Sequence, residues 1–235
     1  MKLSDYVINY LVSQGTRHVF GMSGGAAVHL FDSASRNPMM QPVFVAHEQS
    51  AAIAADGYYR VSGHLGASVV TSGPGATNLL TGVCCSYYDS VPSLMLTGQV
   101  ATHRLKGARQ VRQVGFQETD TLSIYSSVTK YGTQIRLAED IERVLGRAYS
   151  EAVTGRPGPV HIDLPDDLQR AEVSLIPPRP LPTVALAGVP RTEIVNEVGA
   201  LMDRIAASKR PAIVLGGGVQ HTASGCRASR YPSAT

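Results

Sequence analysis

Over its first 170 or so residues the chain alternates short apolar runs with longer segments of helical spacing, and that alternation dictates a parallel α/β sheet. HVFGM (18–22), PVFVA (42–46), GASVVTS (66–72), SLMLTG (93–98) and GPVHIDLP (158–165) read as strands, and SSVTKYGTQI (126–135) as a further extended segment. Helical patterns occupy the gaps: about Ala26 to Arg36, the segment carrying Glu48, ATNLLTGVCCSYYDS (76–90) and AEDIERVLGRAYSEAV (138–153). At the start, Leu3, Val7, Tyr10 and Leu11 are spaced as the buried stripe of an amphipathic helix. The fold expected is a doubly wound parallel sheet with helices on both faces.

Composition narrows the class. A 43% hydrophobic and 17% charged chain can build a globular core. The net charge of +3 is mild, and the absence of a basic stripe with interleaved aromatics argues against a nucleic-acid partner. Asp5 and Asn9 interrupt the N-terminal apolar spacing, and no window approaches membrane-spanning length. Three cysteines, two of them adjacent (Cys84 and Cys85), make no disulfide framework and are expected as buried thiols in a reducing compartment. A soluble cytoplasmic protein is expected. Residues 1–170 are taken as the first domain. Residues 171–190 include IPPRPLPTVALAGVP, whose prolines suit an extended linker. Residues 191–235 read as a truncated start of a second α/β domain, with a helix, a strand (AIVL) and a glycine turn, then an irregular tail. That stretch is too short to bury a core of its own.

Three strand-to-helix turns carry unusual residues: GMSGGA (21–26), AHEQSA (46–51) and TSGPGATN (71–78). In a parallel sheet all three open on the carboxyl edge, where ligands of such folds bind. Gly24, Gly25, Gly73 and Gly75 allow close backbone approach or positive φ, although tight βα turns alone would also use them. Glu48 can be a helix N-terminal charge worth about 0.3–1 kcal/mol, or a carboxylate delivered into a site. The GGGV after AIVL does not match the dinucleotide fingerprint, which disfavours a nicotinamide-dependent dehydrogenase.

Taken in order, VFGMSGG, HEQSAAIAADGYYR, VVTSGPGATNLLTGV, DSVPSLMLTGQV, GFQETD and TGRPGPVHIDLP closely resemble the pyrimidine-binding domain of thiamine-diphosphate enzymes, with the acetolactate synthase group as the nearest branch. The resemblance runs from residue 1 to about 170, and the segment to about Val219 also fits. It implies that Glu48 hydrogen-bonds N1′ of the cofactor's aminopyrimidine ring. It also implies decarboxylation and carboligation of a 2-keto acid such as pyruvate, giving 2-acetolactate. Gly73, Pro74 and Asn78 correspond to the loop beside the aminopyrimidine, and Gly24 and Gly25 to the glycine pair facing the reacting carbon. Phe116 and Gln117 correspond to positions near the substrate entrance. Arg156 corresponds to an arginine that touches FAD, which in these synthases is a structural passenger.

The chain also departs from the pattern. Ser23 stands where the synthases usually have proline, and the loop ATHRLKGARQVRQVGFQE (101–118) is longer and carries Arg104, Lys106, Arg109 and Arg112. A solvated charged loop accounts for those cations; so would a phosphate-bearing acceptor, such as a nucleotide-linked keto sugar receiving a two-carbon unit. No GDG motif with a following asparagine is present, so Mg²⁺ would enter only through a diphosphate domain that this sequence lacks. Family active sites lie between subunits, which implies a homodimer or a partner chain bringing the diphosphate domain. By itself the chain is expected not to turn over pyruvate. The remaining reading is a non-catalytic truncated or interaction chain that keeps the fold.

Overall fold

A computed structural model describes residues 1–174, 177–178, 191–212, 214 and 216. From the N-terminus run α1 (Leu3–Ser13), β1 (His18–Gly21), a 3₁₀ turn (Gly25–Ala27), α2 (Val28–Arg36), β2 (Gln41–Phe44) and α3 (Glu48–Ser62). β3 (Gly66–Val70), α4 (Pro74–Tyr88) and β4 (Ser93–Gln99) follow; a loop with a 3₁₀ turn at Thr102–Arg104 then leads to α5 (Thr121–Tyr125). β5 (Tyr131–Gln134), a 3₁₀ turn (Ala138–Asp140), α6 (Ile141–Val153), β6 (Pro159–Pro165) and α7 (Asp166–Gln169) complete the first of two units, residues 1–182. The second unit, residues 183–235, is described through α8 (Arg191–Ala207), whose side chains from Val195 onward are exposed except at Ile205. Most of the proline-rich segment, half of AIVL, most of the glycine turn and the tail lie outside the described residues.

Six strands form one all-parallel sheet in the order β2-β1-β3-β4-β6-β5. Every residue of β3, β4 and β6 is buried, as central strands covered on both faces must be, whereas the edge strands β2 and β5 are partly exposed. Leu3, Leu30 and Leu145 of α1, α2 and α6 anchor the core on one face. On the other, α3, α4 and α5 contribute Ala51, Ala52, Leu79, Val83 and Tyr125. The chain places β2 on one side of β1 and then crosses to β3 on the other. The turns that follow β1 and β3 therefore diverge and leave a crevice at the carboxyl edge.

Because α3 and α4 each follow a strand of the same parallel sheet, they run side by side in one direction, and their contacts repeat every four residues. A Cβ on Gly82 would lie 2.4 Å from the Ala52 Cβ, so the helices meet there at a distance only glycine permits. One turn on, Ser86 Oγ donates to Asp56 Oδ2 at 3.0 Å, and beyond it Arg60 donates to Asp89 Oδ2 at 2.7 Å. Ser68 Oγ of β3 donates to the Ala51 carbonyl at 3.0 Å, tying the pair to the sheet. Cys85 faces away from this seam and is exposed, and Cys84 is half-buried. The expectation of buried thiols is thereby corrected for these two, the seam turning Ser86, the next residue, inward instead; Cys226 lies outside the described residues. Helices α5 and α7, five and four residues long, were too short to show a sequence period.

A second polar cluster joins β4, β6 and β5. The Thr97 hydroxyl donates to Asp163 Oδ1 at 2.6 Å and lies 2.8 Å from His161 Nε2. Gln99 and Gln134 donate to Asp163 Oδ2 at 3.0 and 2.8 Å, and the His161 ring stacks on Tyr125 at 4.5 Å. Burial pushes the Asp163 carboxyl up to about 6, against the lowering effect of its hydrogen bonds, and burial holds His161 down to about 3.

Two outcomes follow. Gly82→Val should lower unfolding free energy by about 1–3 kcal/mol in urea titrations, the cost of overpacking a close contact; unchanged stability would mean the helices separate freely. For Asp163, a carboxyl raised on folding contributes most below its unfolded value near 4 and loses that contribution as pH rises through about 6. The stability of the protein relative to Asp163→Asn, which retains His161, should therefore be more favourable at pH 4 than at pH 7. The same difference at both pH values would contradict the assignment.

Candidate cofactor site

β2 ends at Phe44, and His47, extended at φ −153°, caps the next helix by accepting the Gln49 N–H on Nδ1 at 3.2 Å. The cap makes Glu48 the first helical residue, where the helix dipole favours its charge. Burial adds something a terminal charge does not need: Glu48 is 7% exposed. Its Oε2 accepts from Asn78 Nδ2 at 3.0 Å, which is the top rung of the four-residue ladder that continues through Ala52–Gly82 and Asp56–Ser86. No hydrogen bond to Oε1 and no cation paired with Glu48 is present among the described residues. Oε1 faces Gly75, where a Cβ would lie 3.5 Å away.

Thr71, immediately after β3, is the residue that sequence reasoning passed over. Its hydroxyl accepts the Ala26 N–H at 3.2 Å, linking the turn after β3 to the turn after β1. A Cβ on Gly24 would lie 2.5 Å from the Thr71 Cβ, and one on Gly75 2.7 Å from its Cγ2. Both glycines are thus required by the same side chain. The available signal was its position, the last residue before SGPG, which a threonine in a strand does not advertise.

Gly73 adopts φ 62° and ψ −123°, a conformation open essentially to glycine, and Pro74 opens α4 where no N–H is needed. A Cβ on Gly73 would lie 2.8 Å from the Gln117 Cβ. Gln117 itself has φ 63°, which costs a non-glycine residue about 1–2 kcal/mol. Gly25, Phe116 and Gln117 line a pocket of about 340 Å³ together with Thr71 and Arg104, and Phe116 is 80% exposed. Lys106 lines a neighbouring pocket of about 460 Å³ that reaches Asp163, while Arg109 and Arg112 are exposed.

The structure thus gathers Gly24, Gly25, Glu48, Gly73, Pro74, Asn78, Phe116 and Gln117 at the carboxyl edge. Arg156 is elsewhere. It precedes β6 at the amino edge, donates from Nε to Ser90 Oγ at 2.7 Å, and lines a separate pocket of about 280 Å³ with Tyr87, Tyr88 and Lys130. Among the described residues no group of three or more His, Cys, Asp or Glu side chains could hold a metal ion. Nor is any described helix long and apolar enough to cross a membrane.

Residues 1–124 match the family described as "Thiamine pyrophosphate enzyme, N-terminal TPP binding domain". The chain is 41% identical to an acetolactate synthase large subunit of Lactococcus lactis over 223 residues, covering 94% of this chain and 37% of the relative. It is 40% identical to a probable acetolactate synthase large subunit of Methanocaldococcus jannaschii, covering 93% and 36%, and 36% identical to the acetolactate synthase isozyme 3 large subunit of Escherichia coli, covering 92% and 37%. The chain therefore spans little more than a third of the length of these relatives. The matched domain takes in all three glycine and acid turns, and on that match the chain belongs to the thiamine pyrophosphate enzyme family.

Proposed function

We propose that this chain holds the aminopyrimidine end of thiamine diphosphate and serves as that half of a 2-keto-acid decarboxylase and carboligase, converting pyruvate to 2-acetolactate. The observation that carries the reading is the state of the Glu48 carboxylate: buried, without a cation among the described residues, bonded by Asn78 on one oxygen and beside Gly75 on the other. Such a group fits a ring nitrogen with which it can share a proton. When bound, the cofactor supplies the electron sink for decarboxylation and carbon–carbon bond formation.

The chain's own residues have simpler tasks. Glu48 holds the proton at N1′ of the ring, and Asn78 fixes the plane of its carboxylate. Ala51 and Ala52, fully buried on the same helix, keep the carboxylate against an apolar core that excludes water. Gly24 and Gly75 leave the space beside Thr71 that a side chain would occupy. The oxygen ligands for Mg²⁺ would come from a diphosphate domain, in a homodimer or on a partner chain, since no group among the described residues could hold the ion. Arg156, with the tyrosines beside it, is proposed to touch FAD at the amino edge, remote from the Glu48 turn.

Calorimetric titration of the 235-residue chain with thiamine diphosphate and Mg²⁺ tests this. Glu48→Ala should bind at least about tenfold more weakly, the effect of one lost charge-assisted hydrogen bond. The chain alone should form no acetolactate from pyruvate. Adding a diphosphate domain should produce it, and Glu48→Ala should abolish it. Equal cofactor affinity in the two proteins would refute the assignment.

A further inference from the structure

We infer that Arg104 binds the carboxylate of the keto-acid substrate and selects a monoanion with a short apolar chain, an inference that rests on the thiamine reading of the Glu48 turn. The pocket of about 340 Å³ is lined by Gly25 and Ala26 after β1 and by Thr71 and Ser72 after β3; the Thr71 methyl side meets Gly75, and Gly75 adjoins the Glu48 carboxylate on the far side of Thr71. Val100, Ala101 and Phe116 give the pocket an apolar side. Arg104 gives it a charged one.

The backbone of Arg104 is anchored while its guanidinium is uncommitted. The 3₁₀ turn at Thr102–Arg104 closes with the Arg104 N–H donating to the Ala101 carbonyl at 2.8 Å. Asp167 of α7 pins the same turn, accepting the Thr102 N–H at 2.9 Å on Oδ1 and the Thr102 hydroxyl on Oδ2. No hydrogen bond or ion pair engages the guanidinium among the described residues. The other arginine lining the pocket, Arg170, is offset by Asp166 at 3.7 Å, and Asp166 also faces His29 Nε2 at 3.4 Å. Arg104 is thus the one uncompensated formal cation among the described residues that line this pocket.

One free guanidinium matches one carboxylate, which it can engage through two parallel N–H donors. A phosphate dianion would want more positive charge than the pocket offers. The other loop cations do not supply it: Lys106 lines the neighbouring pocket beside Glu118 and Asp120, and Arg109 and Arg112, exposed like Arg104, line neither pocket. The geometry therefore favours a small keto acid over a phosphate-bearing keto sugar as the ligand of this pocket.

The test is an amide-resolved NMR titration of the 235-residue chain with pyruvate and, separately, with inorganic phosphate. Pyruvate should shift the amides of Gly25, Val100 and Arg104. Arg104→Gln should weaken its binding at least about fivefold, an Arg109→Gln/Arg112→Gln double variant should stay within about twofold of the parent, and phosphate should bind at least about fivefold more weakly than pyruvate. Arg104→Lys, which keeps charge without the planar fork, should fall between. An unchanged pyruvate affinity in Arg104→Gln, or phosphate binding as tightly as pyruvate, would overturn the inference. A parallel thiamine diphosphate titration of the parent separates the two readings. If thiamine binds and Arg104→Gln takes pyruvate unchanged, only the role of Arg104 fails. If thiamine does not bind while the pyruvate shifts appear and vanish in Arg104→Gln, the Glu48 reading fails and Arg104 remains an anion site.

Discussion

The contact between α3 and α4 is the constraint on which the site depends. Two parallel helices pressed to a Gly82–Ala52 contact can hold only one register, and that register repeats every four residues from Asp56 and Ser86 up to Glu48 and Asn78, with Arg60 bonding Asp89 just past the end of α4. The rows of residues four apart are the ridges by which helices commonly interlock. Here the same rows set a carboxylate. Glu48 occupies the last rung, where the helices emerge from the core, so its position is fixed by packing several turns below it. Burial without a cation would ordinarily count against a carboxylate, and the asparagine opposite it offsets part of that cost.

Topology supplies the other half of the arrangement. The crossing from β2 to β3 opens the crevice between the turns after β1 and β3. Thr71 then draws those turns together, bonding Ala26 on one side and packing against the spaces left by Gly24 and Gly75. The strained backbone of Gln117, set against Gly73, brings the long loop after β4 to the same edge. Strain of this kind persists where surrounding contacts hold it in place. The result is a carboxylate on one side of Thr71 and, on the other, a pocket whose Arg104 guanidinium has no partner among the described residues.

Much of this was legible in the sequence, for physical reasons that differ from residue to residue. The central strands were visible because a strand buried on both faces must be an unbroken apolar run, and α3 and α4 because their lengths allow several periods. The order of strands was not, since crossovers leave no local mark. Glu48 stood out as an acid where an apolar run ends. Thr71 and Asp163 did not, because a polar residue inside or just after an apolar strand run looks the same whether it faces a neighbouring turn, a hydrogen-bond cluster or solvent. Arg156 was conspicuous in its motif, and its place just before a parallel strand already put it at the amino edge; its bond to Ser90 and the tyrosines beside it came only with the fold. Among the four cations of the 101–118 loop, sequence treated all alike; the turn pinned by Asp167 singles out Arg104.

The central claim is that the α3–α4 seam presents Glu48 to a ring nitrogen. It is tested most directly by comparing, by calorimetry on the parent chain, thiamine diphosphate with an analogue in which N1′ is replaced by CH. The account predicts that the analogue binds at least about tenfold more weakly, the value of one charge-assisted hydrogen bond. Equal affinities would show that Glu48 does not meet the ring and is only the charge that begins a helix.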